Sequence, residues 1–139
     1  MTPRRFQELS REESLRRLAG VGVGRIVFTH QALPAIRPVH HLLDGGQIII
    51  CSHGGAALLS ALDTVVAYEA DSVSGDDHIG WSVIVTGVAR RVEPGAVTER
   101  YRGLADPWAG DGAGYVIRIR PELVAGFGLV EENVSPCHR

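Results

Sequence analysis

Gly80-Trp81-Ser82-Val83-Ile84-Val85-Thr86-Gly87-Val88-Ala89 is an apolar, β-branched run that opens on an aromatic and a hydroxyl. Alternation along a strand sends Trp81, Val83 and Val85 to one face and Ser82, Ile84 and Thr86 to the other. The run is read as the centre of a long strand over residues 79–92. Trp81 and Ser82 at its start offer a ligand one flat apolar wall and one hydroxyl, and the plainer alternative is a core or interface aromatic.

Working outward, Val65–Ala70 has strand composition, and the polar stretch from Asp71 to His78 reads as a loop joining it to the long strand. Pro94 suits the first turn of a helix running to Leu104. Tyr115–Arg120 alternates apolar and basic residues as a half-exposed strand does. Pro121-Glu122-Leu123 is read as a helical turn before a last strand near residues 126–130. Towards the start of the chain, Ser10-Arg11-Glu12-Glu13 is a capping box, with Glu13 placed to reach back, and a helix carrying Leu15, Leu18 and Ala19 on one stripe follows it. Val23–Thr29 and Ala35–Leu43 form a hairpin through the connection at 31–34. Asp44-Gly45-Gly46 turns the chain into a third strand, Gln47–Cys51, and the β-branch-free Ala56–Leu62 suits a short buried helix. Six or seven strands joined by tight turns, with few helices, predict a mainly β, antiparallel barrel or sandwich.

The 139 residues suit one domain, taken as 1–139 with its core at about 9–130. A net charge of −2, from 14 basic and 16 acidic side chains, supplies no field to gather nucleic acid or an anionic membrane. No apolar run approaches the roughly 20 residues of a spanning helix, so a soluble, cytoplasmic protein is expected. Cys51 and Cys137 are expected to be thiols. No metal site is predicted: adjacent His40 and His41 point to opposite faces of a strand, and Asp76-Asp77-His78 reads as a solvated loop.

Two segments could hold a ligand. Arg37-Pro38-Val39-His40-His41 places a proline inside a strand, which marks an edge, a bulge or a ligand-facing position. Ser52-His53-Gly54-Gly55-Ala56 joins a strand to a helix, and its glycines can turn amides towards an anion or merely serve a turn. Trp108 could close over a ligand or cap the barrel end. There is no Walker spacing, no Gly-x-Ser-x-Gly elbow, and no sign of activation around Cys51.

Gly24-Arg25-Ile26, Arg37-Pro38-Val39-His40, the strand and turn at 47–55, Tyr68-Glu69-Ala70-Asp71 and Gly80-Trp81-Ser82-Val83, in that order, resemble the pyridoxamine 5′-phosphate oxidase-like, flavin-nucleotide-binding family. The resemblance extends from about Leu9 to about Gly128. It implies a split β-barrel homodimer that binds a small-molecule substrate, with flavin mononucleotide or a related flavin in a groove between subunits. Pro38 and Val39 are then expected to line the isoalloxazine, and the strand edge Trp81-Ser82-Val83 to contact the cofactor. Where many members carry Arg, Lys and a Thr-Gly-Arg segment, this chain has Cys51, Ala57 and Ala125-Gly126-Phe127. Arg37, Ser52, His53 and the Gly54-Gly55 amides are the replacement candidates for the phosphate grip. His40 and His53 are the candidate acid–base residues of a flavin-dependent oxidoreductase. The alternatives are a deazaflavin, a cofactor-free enzyme or binding protein on the same barrel, and a haem protein using His138.

Overall fold

Alternating apolar strands and short capped helices follow the order β1 (Arg4–Leu9), α1 (Arg11–Ala19), β2 (Val23–His30), β3 (Leu33–Asp44), β4 (Gln47–Ser52), α2 (Ala56–Leu59), β5 (Val65–Val73), β6 (Gly80–Val92), α3 (Ala96–Ala105), β7 (Tyr115–Ile119) and β8 (Leu123–Glu131). The computed structural model describes residues 4–52, 56–73, 75, 79–105 and 114–131. Every strand pairing is antiparallel. β2, β3, β4, β7, β6 and β5 close into a ring, and β8 and then β1 extend the sheet beyond β6.

Two long strands turn the corners of this barrel. β3 pairs with β2 as far as His40 and with β4 from His41 onward. β6 pairs with β5 up to Val88 and with β7 from Ala89. At the second corner Gly87 is required, because a Cβ there would lie 2.2 Å from the carbonyl oxygen of Arg120. Alternate residues fill the interior, among them the fully buried Ile26, Ile48, Ile50, Val83, Val85 and Ile117. A second, smaller cluster of Ile49, Cys51, Tyr101 and Val116 lies on the other face of β4 and β7, against α3.

The helix α1 is seated by its cap and by one close approach. The Ser10 hydroxyl accepts the Glu13 amide at 3.1 Å. Ser14 and Leu18 are buried, and Gly126 makes room for Ser14, whose Oγ would stand 2.0 Å from a Cβ at that position. Ser10→Ala is expected to lower stability by about 1 kcal/mol in urea unfolding, with an unchanged m value. A buried relay ties the helix to the barrel. The Tyr68 hydroxyl donates to His41 Nδ1, and His41 Nε2–H donates to the Leu18 carbonyl at 3.0 Å.

Several sequence expectations need correction. The eight strands among the described residues include β1, which pairs with residues 126–131 of β8 and carries no strong strand signal of its own. β5 continues through Asp71 to Val73 because its partner β6 supplies a ladder there. Residues 121–123 form no helical turn: a bend leads directly into β8. The hairpin loop is only Gln31-Ala32, with φ of 52° and 65°, so Leu33 and Pro34 already belong to β3. α2 ends at Leu59 and passes into tight turns, and α3 starts at Ala96. Only half of the capping box forms, since the Glu13 carboxylate binds Arg16 and Arg17 instead of reaching back.

Candidate functional site

The barrel is split where β3 leaves β4. From Leu33 to His40, β3 pairs with β2 on one side and carries no strand on the other among the described residues. His41 N–H bonds to the Gly22 carbonyl at 2.9 Å, which makes this a hydrogen-bonded rung. By alternation, the polar backbone groups of Ile36, Pro38 and His40 turn away from β2. Pro38 therefore sits where a missing N–H leaves no gap in the β2–β3 ladder, which is why a proline fits in this strand.

Register decides where each side chain goes. Arg37 lies opposite Ile26, on the barrel-facing side, and Val39 lies opposite Gly24 on that same side. Pro38 and His40 lie on the outer face, opposite Arg25 and Val23, with Pro38 exposed and His40 half-buried. His40 and His41 do point to opposite faces. His41 belongs to the core relay, and burial holds its imidazole below the usual histidine range. Burial likewise pushes the Tyr68 phenol up.

Beyond the split, the last rung of β4 and β7 pairs Ser52 with Tyr115. Ser52 is buried and faces the same interior side as Ile48 and Ile50. Tyr115 carries the Arg91 guanidinium over its ring, 5.8 Å from the centroid. Burial pushes the Tyr115 phenol up, and the charges of Arg37 and Arg91 both act against that rise. The Arg91 guanidinium thus stands at the Ser52–Tyr115 end of the barrel and the charge of Arg37 acts on the same end, beside the edge of β3 that carries no strand among the described residues. Arg91 and Tyr115 were not singled out from the sequence. The signal available was the interruption of the apolar β6 pattern by Arg90-Arg91, which has no meaning until the register with β7 is known.

The remaining expected site residues divide. Ser82 is on the outer face between Asp71 and Phe127, the same face as Pro38 but three strands away, about 14 Å at ordinary strand spacing. Trp81 is on the inner face, packed against the core, and with Gln7, Leu9, Glu13 and Arg17 it lines a separate cavity of about 450 Å³. Val83 is fully buried in the core, and β6 has neighbours on both sides at 80–86, so Trp81-Ser82-Val83 is not a strand edge. The Val39 side chain is also core, at 8% exposure, so this residue can line a ligand only through its backbone.

Cys51 is buried in the cluster against α3, and Ala57 packs against the main core, so both side chains are taken up by packing. Phe127 is on the outer face, edge-to-face with Phe6 at 6.5 Å. His53, Gly54, Gly55, the Asp76-Asp77-His78 segment, Trp108, Cys137 and His138 lie outside the described residues.

The outer face of this sheet is unusually apolar. Ile36, Val65, Ile84, Leu123 and Phe127 are all exposed on it, around a small charged group in which Arg25 binds Glu69 at 2.8 Å. Desolvation and the neighbouring Asp71 push the Glu69 carboxyl up. No helix among the described residues is long and apolar enough to cross a membrane.

A six-stranded antiparallel ring, split along β3 and extended by β8 and β1, defines a split β-barrel. The sequence profile of the pyridoxamine 5′-phosphate oxidase family matches residues 10–127, and the chain belongs to that family. It is 42% identical over 139 residues to an uncharacterised protein of Mycobacterium tuberculosis, covering 96% of this chain and 91% of that one. Among solved structures it is similar to an FAD-binding protein of Mycobacterium smegmatis, 28% identical, with a TM-score of 0.69 over 89% of this chain and 98% of the other. It is also similar to a Corynebacterium glutamicum protein provisionally called a pyridoxamine 5′-phosphate oxidase, 29% identical, with a TM-score of 0.76 over 92% of this chain and 100% of the other.

Proposed function

We propose that this protein binds a flavin nucleotide at the split between β3 and the Ser52–Tyr115 rung and acts as an oxidoreductase on a small molecule. The observation that carries the reading is the Arg91 guanidinium over Tyr115, with the charge of Arg37 acting on the same ring, beside a strand edge that carries no neighbouring strand among the described residues. These cations stand in for the charges absent at Cys51, Ala57 and Phe127. Guanidinium groups recognise a phosphate through paired, charge-assisted hydrogen bonds, and the Ser52 hydroxyl adds a neutral one. The β3 edge at 36–40 supplies backbone groups for the rim of a planar ring system, with Pro38 leaving that edge short of one donor. A bound flavin would supply the hydride chemistry, and the chain's part is to grip, orient and exclude water. Among the described residues His40 is the acid–base candidate on this edge. The family fold and the apolar outer face support a homodimer, in which a second copy brings its own Ser82 and Phe127 to the groove.

The test is the absorption spectrum of the purified protein before and after incubation with FMN or FAD and removal of free flavin, with sedimentation of the same samples. Retained flavin absorbance on a dimer is expected. Arg37→Gln and Arg91→Gln should each weaken flavin binding roughly 10- to 100-fold, the worth of one charge-assisted phosphate contact. A colourless protein that retains neither nucleotide would sink the reading.

A further inference from the structure

We propose a second ligand site, for a phosphate-class oxyanion, on the outer surface where β6 meets β7. The antiparallel register places Arg90 directly opposite Arg118. Arg120 follows two residues later on the same face. Together with Val88 and Glu122 these three arginines line a cavity of about 190 Å³. Like charges directly opposed across a ladder cost stability, so such a pair calls for a compensating anion.

The compensation within the chain is incomplete. Arg90 reaches Asp63 at 2.8 Å, in a pair whose side chains are 51% and 72% exposed and which is therefore weak. Among the described residues no carboxylate lies within ion-pair distance of Arg118 or Arg120. The other cross-strand neighbour of Arg118 is Ile49, a buried hydrocarbon. Glu122 lines the cavity, and its position is set by the bond from its backbone N–H to the Thr86 carbonyl at 3.0 Å. Even counting it, three guanidinium groups face two carboxylates.

The cavity's size and donors define the ligand. It is smaller than the roughly 300–1,000 Å³ pockets that hold whole cofactors, and it suits one tetrahedral oxyanion or the phosphate end of a metabolite. Forked guanidinium donors match phosphate oxygens in pairs. The site is separate from the split. Arg118 and Arg120 lie three and five residues along from Tyr115, about 10 and 17 Å of strand, towards the other end of β7.

The experiment is calorimetric titration of the full chain with inorganic phosphate against potassium chloride at matched ionic strength, with and without saturating FMN. Saturable phosphate binding that chloride does not reproduce is expected in both cases. With FMN filling the split, Arg118→Gln/Arg120→Gln should weaken it at least tenfold while leaving flavin retention and far-ultraviolet dichroism unchanged. Its melting temperature in chloride should be no lower than that of the parent, since an opposed charge is removed. Arg37→Gln/Arg91→Gln removes the phosphate grip of the split and should leave the remaining saturable phosphate site intact, so loss of flavin binding and loss of this site are read separately. A phosphate monoester such as glycerol 3-phosphate binding more tightly than inorganic phosphate would identify a phosphorylated metabolite, and equal binding a free oxyanion. Either result supports the site. Equal responses to phosphate and chloride, unaltered binding by the Arg118/Arg120 variant, or binding only of an oligonucleotide through these arginines would overturn it.

Discussion

Gly87→Ala is expected to destabilise the barrel by about 3 kcal/mol, at the upper end of what added core volume costs. The added methyl would stand 2.2 Å from the Arg120 carbonyl oxygen and 3.2 Å from Ile119 Cγ2. The first of these is backbone, held in the chain that leads from β7 to β8, and it cannot rotate away as a side chain would. Along one edge β6 changes partner from β8 to β7 at this point, while β5 pairs its other edge through Val88, so relief by backbone movement would open one of these ladders. The matched control is Gly22→Ala, where nothing lies within 4 Å of the new Cβ. That substitution should be neutral or slightly stabilising, by up to about 1 kcal/mol, through the unfolded chain's lost freedom. Urea unfolding of the two variants distinguishes a steric requirement at 87 from a general dislike of glycine replacement. Equal small effects would show that the corner has slack.

His41→Leu should cost roughly 2–4 kcal/mol, because it strips the buried Tyr68 hydroxyl of its acceptor while keeping a side chain of similar volume. The loss should shrink when Tyr68→Phe is already present, since the orphaned hydroxyl is then gone, and a double-mutant cycle measures that coupling. The same residue gives the protein a pH dependence of defined sign. Burial holds the folded-state imidazole below the unfolded value near 6.5, so between these two values the unfolded chain binds more protons than the folded one. Stability therefore falls as pH drops below about 6.5, with a slope of up to about 1.4 kcal/mol per pH unit from this group. His41→Leu should flatten that part of the profile while lowering its plateau. An unchanged slope would place the titration elsewhere.

Local patterning made much of the architecture legible. β-Branched and apolar composition located β2, β4 and β6, the Ser10 cap located α1, and Asp44-Gly45-Gly46 located the β3–β4 turn, where both glycines have positive φ. β1 was missed because Arg4–Leu9 becomes a strand through pairing with β8, a contact more than a hundred residues away in the chain. The hairpin at 31–32 was read too long because Gln31 and Ala32 adopt left-handed angles without the Asn or Gly that usually announces them.

The ligand-facing segments show the same division. Pro38 within a β-rich stretch was enough to mark an edge, a bulge or a ligand-facing position, and alternation was enough to send His40 and His41 to opposite faces. Alternation likewise sent Trp81 and Ser82 to opposite faces, but it could not reveal what each face meets, a cavity beside α1 for one and the outer sheet for the other. Composition and periodicity are properties of neighbours in the chain, and they suffice for strand, turn, cap and fold class. Which cations meet is a matter of register between strands remote in sequence. The Arg91 guanidinium stands over Tyr115 with the charge of Arg37 acting on the same phenol, and Arg90 faces Arg118, only because β3, β6 and β7 are locked into one closed ring.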